Sequence, residues 1–465
     1  MDAKMIFKMK INYFLKMAML PVLLLLGSCE KFLDVQPPAG TFEADDIFMS
    51  TTSATAAIST LYIQLVGYPT FEATTSLGLY ADELENAADN STQRPYVESM
   101  VPVLDSRNNL FWAAFYANIF RANYALEGLS KSTALTKDLN DQLTGEALFI
   151  RAFAYNYLVN LYGDVPLVTT TDYITNALLP KESAGVVTEQ IVTDLERART
   201  LLKPEYPITE KVRANKWAAT ALLARVYLYQ KKWDKAAQMA GEVIASARYT
   251  LPAPGNVFLK GSSEAILQIP QTTVAQYSRE AFNFIPSSTT VIPSYPLTSS
   301  LASSFETGDR RLTDWTGSNL VGTRKYYYPA KYKQASGAPS LEYYVLMRAA
   351  EQYLIRAEAS AQLNALPQAI ADLDVVRARA GLPLIRNTQP TISQPDLLAV
   401  IEHENRIEFF TEMGHRWFDL RRAGNADKVL KTLKPATWNI RGSLWPVPQV
   451  QLDGNPNLKQ NPDYL

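Results

Sequence analysis

Residues 217–247 read WAATALLARVYLYQKKWDKAAQMAGEVIASA, and this stretch decides the architecture. Small Ala224 precedes Tyr227, and Trp233, Ala236, Ala240 and Val243 follow at helical spacings. Residues three and four apart share one helix face. A small residue where two helices cross lets the backbones approach, and aromatics fill the groove beside it. The pattern predicts two helices packed as a pair.

The pattern recurs over residues 348–381. Ala357, Leu366, Ala369, Leu373 and Val376 stand at the same offsets as Ala224, Trp233, Ala236, Ala240 and Val243. Both copies resemble a tetratricopeptide repeat. An ordinary antiparallel bundle is the alternative, but alanines recurring at two equivalent crossings favour the repeat. Helices predicted over 108–129 and 138–161 form a further candidate pair, the second stopped by Gly163 and Pro166. Two more are expected over 45–66 and 188–202, the latter capped by Thr188. Between the copies, residues 252–345 lose helical periodicity and carry eight prolines and a dense set of aromatics. A long irregular segment inside a helical protein usually carries function. The expected fold is all-α: tetratricopeptide-like helix pairs with a large irregular loop-rich insertion. The helical scaffold covers about 45–251 and 346–465, and the ligand region about 252–345.

The first residues read differently. Four lysines precede a short apolar run, Met17 to Leu26, which ends in Gly27-Ser28-Cys29. Basic, apolar and small segments in that order describe a signal peptide, and the run falls short of the roughly 20 residues that span a bilayer. A thiol directly after the small pair suits bacterial lipoprotein processing, so residues 1–28 are expected to be removed and Cys29 to carry the lipid. Residues 29–44 then form a tether, with Pro37, Pro38 and Gly40 opposing a helix. Removing four lysines and one aspartate takes the net charge from −1 to −4, which argues against a nucleic-acid partner. Cys29 is the only cysteine, so no disulfide is expected.

Catalytic signals are sparse. His403-Glu404 starts like a zincin motif, but residue 407 is Ile, and the second histidine, His415, lies too far along the helix. No metal or cofactor is expected. Neither a nucleophile elbow nor a glycine-rich phosphate loop is present. Carboxylates are too numerous to single out a glycosidase pair. In EHENRIEFFTEMGHRWFDLRR, residues 402–422, the charges Glu404, Arg406, Glu408, Glu412, Arg416 and Asp419 read as a partly buried ion-pair network.

Four segments together resemble the SusD/RagB family of outer-membrane nutrient-binding lipoproteins. They are CEKFLD at 29–34, RAAEQYLIRAEASAQLN at 348–364 with ADLDVVRARAGL at 371–382, ENRIEFFTEMGHRWFDLRR at 404–422, and LWPVPQVQLDGNPNLKQNPDY at 444–464. Asn405 and Asp463 depart from the family's usual Arg and Gly. The resemblance implies a single SusD-like domain over 45–465, lipid-anchored at the outer membrane and facing the exterior. It also implies a non-catalytic role, binding oligosaccharides and delivering them to a SusC-like TonB-dependent barrel. Some members take peptides instead, and a surface glycan hydrolase or a purely structural repeat protein are the competing classes.

Sugar recognition needs flat apolar rings together with amides or guanidinium groups for the hydroxyls. Two stretches offer both. In residues 86–96, Asn90, Gln93 and Arg94 lie beside Tyr96; farther on, Trp315, Arg324, Tyr326, Tyr327, Tyr328 and Tyr332 cluster. The candidate ligand residues are therefore Asn90, Arg94, Tyr96, Trp315, Arg324, Tyr326 and Tyr328. Strand alternation would turn Tyr326 and Tyr328 one way and Tyr327 the other.

The anchor is tested at a single atom. Cys29→Ala is expected to shift the protein from the outer-membrane fraction to the soluble fraction on immunoblots; unchanged fractionation would refute the lipid attachment.

Overall fold

Alanine-lined helix crossings, repeated along the chain, dictate how the frame is stacked. The computed structural model describes residues 44–270 and 277–464, so Cys29, the signal peptide and nearly all of the tether lie outside the described residues. Helices of eight residues or more are numbered in chain order. They begin with α1 (Thr51–Ile63), α2 (Ala73–Tyr80), α3 (Ser106–Lys131), α4 (Lys137–Tyr162) and α5 (Ala184–Leu201). The next are α6 (Lys216–Tyr229), α7 (Trp233–Ala245), α8 (Ala349–Gln362) and α9 (Leu366–Ala380). The last are α10 (Gln394–Glu408), α11 (His415–Ala423) and α12 (Ala426–Leu433). None of these is long and apolar enough to cross a membrane.

From α3 to α9 each helix packs on the next. The crossing residues behave as their size requires: Ala224, Ala236, Ala240, Ala357 and Ala369 are fully buried, with Val243, Leu373 and Val376 beside them. The fold is therefore helical on tetratricopeptide-like pairs, and α3 with α4 supplies the further pair. Side chains set the helix starts. Asp105 accepts from Asn108 N at 2.7 Å, Asn215 from Trp217 N at 3.1 Å and Ser393 from Asp396 N at 3.3 Å, each satisfying an orphan amide. The helix expected at Thr188 begins one turn earlier. Ser183 is its cap, and the Thr188 hydroxyl bonds back to Ala184 O at 2.6 Å inside the first turn.

Helices α7 and α8 touch although about a hundred residues separate them in sequence. The insertion leaves after α7 and returns through a short antiparallel sheet, in which β1 (Ala265–Ile269) pairs with β4 (Tyr344–Arg348). Both strands are buried, and β4 runs straight into α8, so the sheet closes the neck of the insertion. Within it lies one exposed hairpin, β2 (Thr316–Val321) and β3 (Arg324–Pro329).

A buried charge cluster holds insertion and frame together. Glu408 on α10 meets Arg311 of the insertion at 2.9 Å, Arg348 at the end of β4 and Arg379 on α9. Arg311 also reaches Asp309 (2.8 Å) and Glu404 (2.6 Å), and Arg348 reaches Glu264 (2.7 Å) and Glu412 (2.7 Å). Lys331 closes the group on Glu412 at 2.5 Å. A second clamp ties Asp82, just after α2, to Arg406 (2.7 Å) and Arg416 (2.8 Å). Of the six charges read as one network in the 402–422 block, Glu404, Glu408 and Glu412 join the first cluster, Arg406 and Arg416 the clamp, and Asp419 pairs separately with Arg422, with most partners coming from distant segments.

Burial alone would raise the Glu408 carboxyl; the guanidinium groups of Arg379, Arg348 and Arg311 overcome it and hold it well below the usual carboxylate range. A depressed folded-state pKa contributes stability above the unfolded value of about 4.3 and loses it as pH falls further. Glu408→Gln, which strands buried guanidinium charge, is expected to cost about 3–5 kcal/mol in urea unfolding at pH 7. The gap to the parent should narrow below pH 4. A loss under 1 kcal/mol would show that the cluster does not hold the fold.

Candidate functional site

Hairpin β2–β3 sets the alternation of its aromatic run. Asn319 pairs with Tyr326, Gly317 with Tyr328 and Val321 with Arg324, so Arg324, Tyr326 and Tyr328 share one face and Tyr327 takes the other. All three tyrosines are half-buried and Arg324 is exposed. Gly317 makes room for its partner: a Cβ there would come within 2.3 Å of the Tyr328 ring, which lies flat across the strand. Asn319 is buried and donates to Ser288 O (2.8 Å) and Val291 O (2.7 Å), fastening a loop to the Tyr326 face. Its Oδ1 has no hydrogen-bond partner.

The two stretches singled out in the sequence meet across a third. Glu85 N donates to Pro296 O (2.8 Å) and Ala87 N to Ser294 O (3.0 Å), while Leu297 N donates to Tyr327 O (2.8 Å). Segment 294–297 is thus bonded to 85–87 on one side and to β3 on the other. Arg324 locks the join. It reaches both oxygens of Glu85 at 2.8 Å, and its guanidinium lies 4.4 Å from the Tyr326 ring centre.

Two expected ring contacts are corrected. Tyr96 is fully buried, its hydroxyl on Asp105 at 2.9 Å and its ring edge-on to Trp445 at 5.3 Å. Trp315 is also fully buried: Nε1 donates to Pro254 O at 2.7 Å, and Lys331 sits 4.6 Å from its ring centre with Arg379 at 5.1 Å. Both rings are structural, because each sits where a neighbour needs a flat apolar surface below the exterior. Asn90 caps the turn that follows it, accepting from Thr92 N at 3.1 Å, and exposed Arg94 pairs with Glu98 at 2.7 Å. Tyr332 is buried, stacked on Tyr344 at 5.7 Å.

Sequence reasoning missed one aromatic pair. Phe282, 58% exposed, stacks on Tyr277 with centroids 5.2 Å apart. It belongs to the short helix Arg279–Phe284, which packs against β3. The signal lay in YSREAFNF, residues 277–284, where Phe282 and Phe284 straddle the helix and only Phe284 is buried. The arrangement offers ring faces, a guanidinium and amide groups along one surface.

His415 stacks on Phe409 at 4.6 Å, and burial lowers its pKa to about 3. Among the described residues no group of three His, Cys, Asp or Glu could hold a metal ion.

Comparison with known proteins agrees with this architecture. A family model described as SusD-like, starch-binding and associating with the outer membrane matches residues 31–228, and the SusD/RagB family model matches residues 303–464. Two SusD-like proteins of Formosa agariphila are 27% and 28% identical, aligning with 94% and 97% of this chain and 96% and 99% of their own. A SusD superfamily structure from Bacteroides vulgatus superposes with a TM-score of 0.79 at 22% identity, covering 89% of this chain and 99% of its own. A laminarin-binding SusD-like protein superposes at 0.73 with 25% identity, covering 89% and 98%.

Burial separates the rings into two classes that mutation should distinguish. Trp315→Ala is expected to cost about 3–5 kcal/mol of stability in denaturant titration. Tyr326→Ala, half-buried on a hairpin, should cost about 1 kcal/mol or less. Equal losses would contradict the assignment of Trp315 to the core and Tyr326 to the surface.

Proposed function

We propose that this chain, which belongs to the SusD/RagB family, captures oligosaccharides on the hairpin surface and hands them unaltered to a SusC-like TonB-dependent barrel. The family binds carbohydrate and associates with the outer membrane. In this reading Cys29 carries the lipid and the protein faces the exterior, where polymer fragments arrive. The observation that carries the proposal is the shared face of Arg324, Tyr326 and Tyr328, with the rings half-buried, Arg324 held by Glu85 and a neighbouring loop fastened by Asn319. Tyrosine pairs an apolar ring with a polar edge and loses little rotamer entropy on binding, which suits the C–H face of a pyranose. Arg324 and the neighbouring amides supply partners for hydroxyls.

Laminarin oligosaccharides are the first probe, because a solved relative binds laminarin. Titration calorimetry against these, starch oligosaccharides and short peptides is expected to give saturable binding to a glycan. Tyr326→Ala and Tyr328→Ala should each weaken it about tenfold, on the order of 1–2 kcal/mol. Incubation with the bound glycan should release no new reducing ends. Peptide binding alone, or undiminished glycan affinity in both variants, would overturn the proposal.

A further inference from the structure

A cavity of about 490 Å³ opens on the helical frame, lined from α6, α7, α8, α10 and α11 and by none of the hairpin residues. Its volume falls in the range that holds small organic ligands. Half-buried Trp233, at the start of α7, forms one wall, with Leu398 and Pro395 of α10 also lining the space. The polar side is built around Arg422. Its Nε donates to Asp419 Oδ1 at 2.7 Å, and its two terminal nitrogens hold both oxygens of Glu358. Arg422 is thereby consumed, while Asp419 Oδ2 has no protein partner among the described residues.

Two amides on the same lining are also half used. Asn405 donates to Ile401 O at 3.0 Å and Asn425 to Glu402 Oε2 at 3.1 Å, which leaves both side-chain oxygens as open acceptors. Of the three carboxylates on the lining, Glu358 is held by Arg422 and Glu402 faces Arg416 at 3.5 Å, so Asp419 alone keeps an oxygen free. Asp419 Oδ2 and the two amide oxygens thus stand as free acceptors beside a flat ring, and a molecule that presents an ammonium, hydroxyl donors and an apolar face complements them. Burial holds the Asp419 carboxyl above its ordinary range, although Arg422 and Arg416 draw it down.

We propose that this cavity is a second ligand site, separate from the hairpin, that takes a small hydroxylated amine of amino-sugar size. The ammonium would meet Asp419, the hydroxyls Asn405 and Asn425, and the ring face Trp233.

Titration of the full chain with glucosamine, glucose and N-acetylglucosamine, followed by calorimetry and tryptophan fluorescence, tests the site. Glucosamine is expected to bind at one site per chain, at least about tenfold tighter than either neutral sugar, as a charge-assisted hydrogen bond supplies. Asp419→Asn should abolish that preference. Ala399→Trp, which fills the mouth from an exposed position on α10, should abolish binding with the helical circular dichroism unchanged, and it decides the matter if Asp419→Asn fails to fold. Tyr326→Ala should bind glucosamine like the parent, so failure here is distinct from failure of the hairpin reading. Equal affinity for all three sugars, no saturable binding, parental binding in Ala399→Trp, or loss in Tyr326→Ala would each overturn the assignment.

Discussion

Glu408 accepts from three arginines that reach it from three different parts of the chain, and the rest of the structure is arranged so that they can. A carboxylate in the interior costs several kcal/mol to desolvate, and so does each guanidinium; only mutual pairing with good geometry offsets it. The cluster is therefore close to all-or-none. If the insertion were displaced from α9 and α10, Arg311 and Lys331 would leave Glu404, Glu408 and Glu412 with unmatched charge. Such a network adds less to net stability than an apolar core of equal size, but it penalises wrong arrangements heavily. In a chain whose insertion has little regular structure, that penalty is a physical reason for one placement of the loops.

The charge cluster also explains how a hairpin can be exposed and yet well placed. Residue 315 is the floor: its indole lies beneath Lys331 and near Arg379, and β2 begins at the next residue. Lys331 follows β3 by two residues. Both ends of the hairpin are thus rooted in the cluster, while its Tyr326 face is fastened by Asn319 and its turn by Arg324 on Glu85. Rooting both ends in this way limits the freedom of the hairpin backbone that carries the rings.

How much of this was legible in the chain depended on whether the signal was local. The helix pairs were, because Ala224, Ala236, Ala357 and Ala369 mark their crossings by spacing alone. The opposite orientations of Tyr326 and Tyr327 were too, since strand geometry has period two. The depth of a ring was not. Trp315 and Tyr326 stand in similar company in the sequence, and what buries the first is Phe258 and Phe410 together with the cations of residues 331 and 379, all distant in the chain. Tyr96 is buried for a similar reason, by Asp105 and by Trp445 from the far end of the chain. The ion network was readable as a block of charges at 402–422, yet its partners Arg311, Arg348 and Arg379 are long-range and became evident only in three dimensions. Phe282 was passed over because its exposure depends on which side of a six-residue helix meets β3.

The same reasoning separates the two surfaces that face solvent with aromatic rings. On the hairpin, Arg324 is held by Glu85 and the Asn319 amide nitrogen by two carbonyls, and the unpartnered Asn319 Oδ1 is buried. A ligand there gains mainly from ring contact and from hydroxyls that share existing partners, which suits a neutral, extended molecule laid along a surface. At the helical cavity the matching is incomplete, because Arg422 is spent on Glu358 and one oxygen of Asp419 while two amide oxygens remain open. A ligand there gains by supplying the missing donors inside an enclosed space, where a hydrogen bond counts for more than it does in water. The difference in residual hydrogen-bonding capacity, rather than in the number of aromatic rings, is what separates the two proposed sites.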